Sequence, residues 1–126
     1  MQKPVECSDY AAWRDRLMQA NDQTFWPIWE LDRLLKADEA QFWCDGQSAL
    51  VTRIAEYPGG ARVVEGLAAY GNLDSLWGRI APAVEGFARE AGCTDMHAMG
   101  RFGWGRAAQK HGWKPEMVVI TKRVAQ

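Results

Sequence analysis

The sequence has no long apolar run. Nothing in its 126 residues is suited to crossing a bilayer as a helix, and the opening MQKPVECSDY lacks the hydrophobic stretch of a secretory leader. Cysteine is scarce. Cys7, Cys44 and Cys93 are odd in number, far apart and form no Cys-x-x-Cys pair. That speaks against a disulfide scaffold and a zinc knuckle, and fits a reducing compartment. There is no surplus of positive charge either: 15 Lys and Arg face 16 Asp and Glu, a formal net charge of −1. The basic footprint of a nucleic-acid-binding surface is therefore missing. No repeat and no Pro- or Ser/Gly-rich linker divides the chain, so a single domain over residues 1–126 is expected. What the sequence does hold is 48% hydrophobic residues and seven tryptophans, enough to fill a core and to exclude disorder.

Periodicity sets the expected elements. Ser8 and Asp9 are good helix caps before Tyr10, Trp13, Leu17 and Ala20, which predicts a helix over residues 9–20. Asn21 and Asp22 break it. Pro27 suits the first turn of a second helix, with Ile28, Leu31, Leu34 and Leu35 on one stripe. Three β-rich runs follow: Gln41 to Asp45, Ala49 to Tyr57 and Ala61 to Tyr70, the last two separated by Pro58-Gly59-Gly60. They read as an antiparallel meander. The third run is apolar on both faces (Val63, Leu67 and Ala69; Val64, Ala68 and Tyr70), as for a central strand, and Gly66 marks a bulge. Asn72 and Asp74 can cap a helix from Ser75 to Ala91, kinked or restarted at Pro82 and stopped by Gly92. A strand at Cys93 to Met99, a helix at Arg101 to His111 and a closing strand at Met117 to Val124 complete the order α-α-β-β-β-α-β-α-β.

This order, with Phe87-Ala-Arg-Glu-Ala-Gly92-Cys93, Ala107-Ala-Gln-Lys-His-Gly112-Trp113 and Met117-Val-Val-Ile-Thr-Lys122, resembles the GNAT N-acetyltransferase superfamily. The resemblance covers residues 48–124; the first two helices fit by position. It implies an α/β fold with a mixed, mostly antiparallel central sheet flanked by helices. A closer resemblance is to small GNAT-like proteins of bacteriophages and prophages. It rests on Gly71-Asn72-Leu73-Asp74, Ala88-Arg89-Glu90-Ala91-Gly92-Cys93 and Gly100-Arg101-Phe102-Gly103-Trp104. The resemblance implies an unassigned activity and, as for some related proteins, a place in or near virion modules.

The resemblance also defines an expected cofactor site. Active members grip the acetyl-CoA pyrophosphate with a loop Arg/Gln-x-x-Gly-x-Gly/Ala, whose small residues let amides at a helix N-terminus approach the phosphates. Here the two glycine-type positions fall on Ser75 and Trp77, Asn72 takes the place of a cation, and Asp74 stands beside the phosphate position. Asp74 reads as a helix cap. The family's thiolate-protonating tyrosine matches Ala108 or Gln109, neither a useful proton donor. Glu65 is the candidate catalytic base for an amine; its other reading is a salt-bridged strand carboxylate. If acetyl-CoA binds at all, the backbone around Ala68 and Tyr70 is where the thioester belongs, with Gly66 keeping the bulge.

Other groups carry weaker chemistry. Cys93, Asp95 and His97 share one strand face, but parallel side chains on one strand do not converge on an atom, so no metal site is expected. Trp26 and Trp29, beside Phe25, are candidate partner contacts, as are Arg101, Trp104 and Arg106 in a glycine-rich stretch; core filling is the competing reading for the tryptophans. Trp13, Phe42 and Trp43 are candidates to extend the first cluster. Together these features lead to an expectation of a phage- or prophage-derived GNAT-fold protein without the standard pyrophosphate loop. It would be non-catalytic, cofactor-free and in contact with a virion or host protein, in the bacterial cytoplasm or a virion. The alternative is a divergent acetyl-CoA-dependent N-acetyltransferase.

Overall fold

Hydrophobic spacing shapes the first layer. The computed structural model describes residues 7–100, 102–117 and 119–125. In it, α1 (Cys7–Ala20) buries Tyr10, Trp13 and Leu17, and α2 (Ile28–Lys36) buries Ile28, Leu31, Leu34 and Leu35. Pro27 holds the extended backbone before α2, as its fixed φ dictates. Asp32 clamps the pair, accepting from the Tyr10 hydroxyl at 2.7 Å and the Arg14 guanidinium at 2.8 Å. The Arg14 hydrogen bond holds the Asp32 carboxyl below its ordinary range, against the opposing effect of burial.

The sheet follows as β1 (Gln41–Cys44), β2 (Ser48–Glu56), β3 (Arg62–Gly71) and β4 (Asp95–Ala98), in spatial order β1-β2-β3-β4. The first three form the antiparallel meander, and β4 joins β3 in parallel. A parallel neighbour needs a crossover, supplied by one long helical passage. It comprises α3 (Leu73–Ser75), a π-helical stretch (Leu76–Ile80) and α4 (Ala81–Glu90). Pro82 lies in the first turn of α4, directly after the π stretch, where its missing amide costs least. Helix α5 (Phe102–Gln109) comes next, and Gly112 ends it at φ +87°.

Two cores lie on opposite faces of the sheet. One gathers Trp13, Leu17, Leu31, Phe42, Val51 and Ala68 under α1 and α2. The other gathers Trp43, Val64, Leu76, Ile80 and Val84 under the π stretch and α4. The register of β3 explains a departure from simple alternation. Val51 faces Ala68 but Thr52 faces Gly66, leaving Leu67 as the extra residue of a bulge. Val64 therefore faces the α4 core, whereas Ala68 and Tyr70 face the α1 core.

Among the described residues, the closing strand expected at Met117 to Val124 is absent. The described residues of this run carry no strand and stay exposed, Ile120 at 92% and Val124 at 89%. Trp113 is drawn into an aromatic cluster, and Pro115, which cannot donate to a ladder, follows two residues later.

Candidate functional site

The strands β3 and β4 part company. Their pairing runs from Val63–Asp95 to Gly66–Ala98; β3 then continues to Gly71 while the other chain turns away towards α5. This leaves a wedge that holds an apolar, partly open cavity of about 50 Å³ against Gly66, Ala69, Met96, His97 and Trp77. A water needs about 10–15 Å³, so the space has room for a few small atoms.

Tryptophans wall its far side. Trp77, 8% exposed, meets Trp104 edge-on at 6.1 Å and Trp113 at 4.9 Å, with Ala81 and Ala108 packed alongside. The π stretch makes this possible: within five residues Leu76, Trp77 and Ile80 are all buried. Gly100 is required where Trp104 lies across it, since a Cβ would stand 2.2 Å from the ring. The Trp77 indole Nε1 is buried and finds no acceptor among the described residues.

The mouth of the long helix is a polar knot. The Asn72 side chain accepts from the amides of Asp74 at 2.8 Å and Ser75 at 3.2 Å, so Asn72 is the cap, not Asp74. Asp74 sits in the first turn, where a carboxylate faces the positive end of the helix. The buried Ser48 hydroxyl accepts from the Asn72 amide at 2.9 Å and donates to its carbonyl at 3.2 Å. Ser75 donates to the Asp45 carboxylate, which also accepts from the amides of Gln47 and Ser48. Burial pushes the Asp45 carboxyl up, but these hydrogen bonds outweigh it and hold the group below its usual range. Gly71, at φ +125°, lets β3 pass so close to Ser48 that a Cβ would lie 2.4 Å from its hydroxyl.

A second side chain works on the backbone of the wedge. Asn21, at the end of α1, accepts from the Ala69 amide and donates to the Ala69 carbonyl, both at 3.1 Å. Ala69 lies past the last residue that β4 pairs, so an amide side chain stands in for the missing strand.

The residues singled out from sequence are scattered. Glu65 accepts from the Tyr57 hydroxyl at 2.7 Å and from Arg53 at 3.3 Å. Its hydrogen bond is the main reason the Tyr57 hydroxyl is pushed above its ordinary value. Ala68 is buried in the α1 core, and Tyr70 packs against Trp13 at 6.2 Å. Trp26 is half-buried on the same core, with the Arg53 guanidinium 4.7 Å above its ring, whereas Trp29 is 66% exposed. Trp104 is half-buried in the tryptophan cluster, Arg106 is exposed, and Arg101 lies outside the described residues. The two contact groups therefore do not form one patch: Trp26 belongs to the α1 core and Trp104 to the cluster around the π stretch. Trp43 likewise packs on the α4 side, apart from Trp13 and Phe42. No group of three His, Cys, Asp or Glu suited to a metal occurs among the described residues. Among them too, no helix is long and apolar enough to cross a membrane. Sequence reasoning missed Asn21 and Asp45. Asn21 was readable only as a helix breaker, and its bond partner is 48 positions away.

No family model and no curated protein matches the sequence. Solved structures do. Glucosamine-6-phosphate N-acetyltransferase from Arabidopsis thaliana superposes with a TM-score of 0.68 at 11% identity, over 99% of this chain and 98% of that one. A predicted acetyltransferase with acetyl-CoA from Clostridium acetobutylicum gives 0.67 at 10% identity, over 98% and 96%. An aminoglycoside 6'-N-acetyltransferase from Acinetobacter haemolyticus gives 0.62 at 17%, over 99% of each chain. At such identities the likeness concerns architecture, and it is unambiguous there: the chain has the mixed α/β fold of the GNAT acetyltransferases.

Proposed function

We propose that this GNAT-fold chain does not hold acetyl-CoA in the family's manner and acts without catalysis, through protein contacts. One observation carries the reading: the main-chain groups that a cofactor would need are already bonded within the chain. Asn72 occupies the amides of Asp74 and Ser75, and Asn21 occupies both polar groups of Ala69. A diphosphate at the helix mouth would displace the Asn72 oxygen and lie beside Asp74 and Asp45. Like charges at 4 Å repel by about 4 kcal/mol at an effective dielectric of 20. Trp77 and Trp104 wall the cavity beyond. The residues present do not fit the cofactor.

The partner is a virion or host protein, in keeping with the phage-like stretches Gly71 to Asp74, Ala88 to Cys93 and Gly100 to Trp104. Exposed Trp29 and its exposed neighbour Phe25 support one contact surface; exposed Arg106 on α5 is assigned to a separate one, and Arg101 stays a contact candidate from sequence alone. Titration calorimetry with acetyl-CoA tests the reading. The expected result is no saturable heat up to about 1 mM ligand, and micromolar affinity would overturn it.

A second reading, a divergent N-acetyltransferase, is favoured by the bulge at Leu67 and the cavity beside Gly66 and His97. It requires Glu65 to act as base despite its bonds to Arg53 and Tyr57, and the backbone from Ala68 to Tyr70 to meet the thioester. Acetyl transfer to amines, abolished in a Glu65→Gln variant, would establish it.

A further inference from the structure

The near-neutral charge of the whole chain hides two poles. Residues 7–40, the layer of α1 and α2, hold seven acidic side chains against four basic ones. Arg14 is taken by Asp32, Arg33 by Glu30, and Arg16 lies over the Trp13 ring at 4.1 Å. Among the described residues of this layer, Asp9, Asp15, Asp22 and Asp38 are exposed without an ion pair, against Lys36 alone. Phe25 and Trp29 stand exposed between Asp22 and Asp38 in the chain. Their neighbour Trp26 shows what such a ring accepts, since it already holds the Arg53 guanidinium.

The other pole is α5 and the turn after it. Residues 102–116 hold three Lys and Arg against one acid, Glu116, which Lys114 pairs at 2.9 Å. Arg106 and Lys110, four positions apart, are exposed and in no ion pair among the described residues. The poles lie across the sheet from each other. Helices α1 and α2 cover one face, and α5 packs on Trp77 and Ala81 of the helical passage that covers the other. Two free cations are too few for a nucleic acid, which takes about 6–10 phosphate contacts, and the acidic layer repels any extended anionic surface. What matches them in number and sign is a short acidic segment with open aromatic rings, and this chain carries one.

We propose that copies of the chain associate head to tail, Arg106 and Lys110 of one copy seated on the segment Asp22 to Trp29 of the next. Each contact leaves one pole free at either end, so the assembly grows with concentration unless a ring closes. The proposal rests on reading these faces as protein contacts and fails separately from the cofactor reading, which acetyl-CoA affinity decides.

Light scattering on a sizing column tests it, with the unaltered chain at up to about 200 µM. In about 10 mM salt, where charges are felt over about 30 Å, the mass should exceed 14.2 kDa and rise with concentration. In about 1 M salt, where that range is about 3 Å, it should return to the single mass. Two double variants separate the poles: Arg106→Ala with Lys110→Ala, and Asp22→Asn with Trp29→Ala. Each should stay at the single mass with the circular dichroism of the unaltered chain. Mixed one to one, they should form a particle of twice the mass and no larger, because only one contact is left intact. A single mass at low salt, assembly unchanged in high salt or in either variant, or a mixture that never pairs would overturn the proposal. So would a monomeric chain that captures a short DNA duplex or phosphatidylserine vesicles through Arg106 and Lys110. The salt series uses the unaltered chain and decides the matter even if a variant misfolds.

Discussion

The two halves of β3 obey different rules. From Arg62 to Gly66 the strand lies between β2 and β4, and its polar backbone is met by other backbone. From Leu67 to Gly71 it keeps β2 but loses β4; Asn21 bonds Ala69 on the vacant side, and Trp77, Trp104 and Trp113 wall the cavity next to it. Many β-forming sequences would build the first half. The second depends on a few side chains brought from α1, the π stretch and α5. One of the solved structures that share this fold, from Clostridium acetobutylicum, holds acetyl-CoA; in this chain Asn21 bonds the unpaired half of β3.

Substitutions can break that contrast, beginning with the largest effect. Trp77→Ala should cost about 3–5 kcal/mol in urea denaturation, since it empties the centre of the tryptophan cluster. Trp77→Phe should cost well under half of that, because the indole N–H it removes bonds nothing. Equal losses would show that the N–H has a partner after all. Asn21→Ala should cost about 1–3 kcal/mol by the same measurement, having left two backbone groups unmet. Glu65→Gln, on the doubly paired half, should cost under about 1 kcal/mol, as for a partly exposed ion pair.

Asp45 gives a pH test. Its carboxyl is held below the unfolded value, so its contribution is present above the unfolded pKa and lost as pH falls through the folded one. Asp45→Asn should therefore flatten the acid limb of a stability–pH profile and leave the neutral-to-alkaline slope unchanged. Trp29→Ala should be the quietest, within about 0.5 kcal/mol for an exposed site, while weakening capture of any partner that uses this face.

Much of the paired architecture was readable from local pattern. The helix stripe from Ile28 to Leu35 and the meander follow from local spacing, and the bulge falls at Leu67, next to the glycine that marked it. The order of elements from α1 to α5 was readable as well. The wedge was not. Asn21 bonds Ala69 across 48 positions and Ser75 bonds Asp45 across 30, and no periodicity encodes such meetings. The closing strand failed for a related reason: residues 117–124 have the composition of a strand, but composition does not name the neighbour that completes it.

Amide NMR with coenzyme A addresses the central claim most directly. If Asn72 and Asn21 hold the backbone of the helix mouth and the wedge, the amides of Ala69, Asp74, Ser75 and Trp77 will stay in place as the ligand rises to millimolar levels. Saturable, concerted shifts of these four amides would show that the asparagines yield to a diphosphate, and would contradict the account.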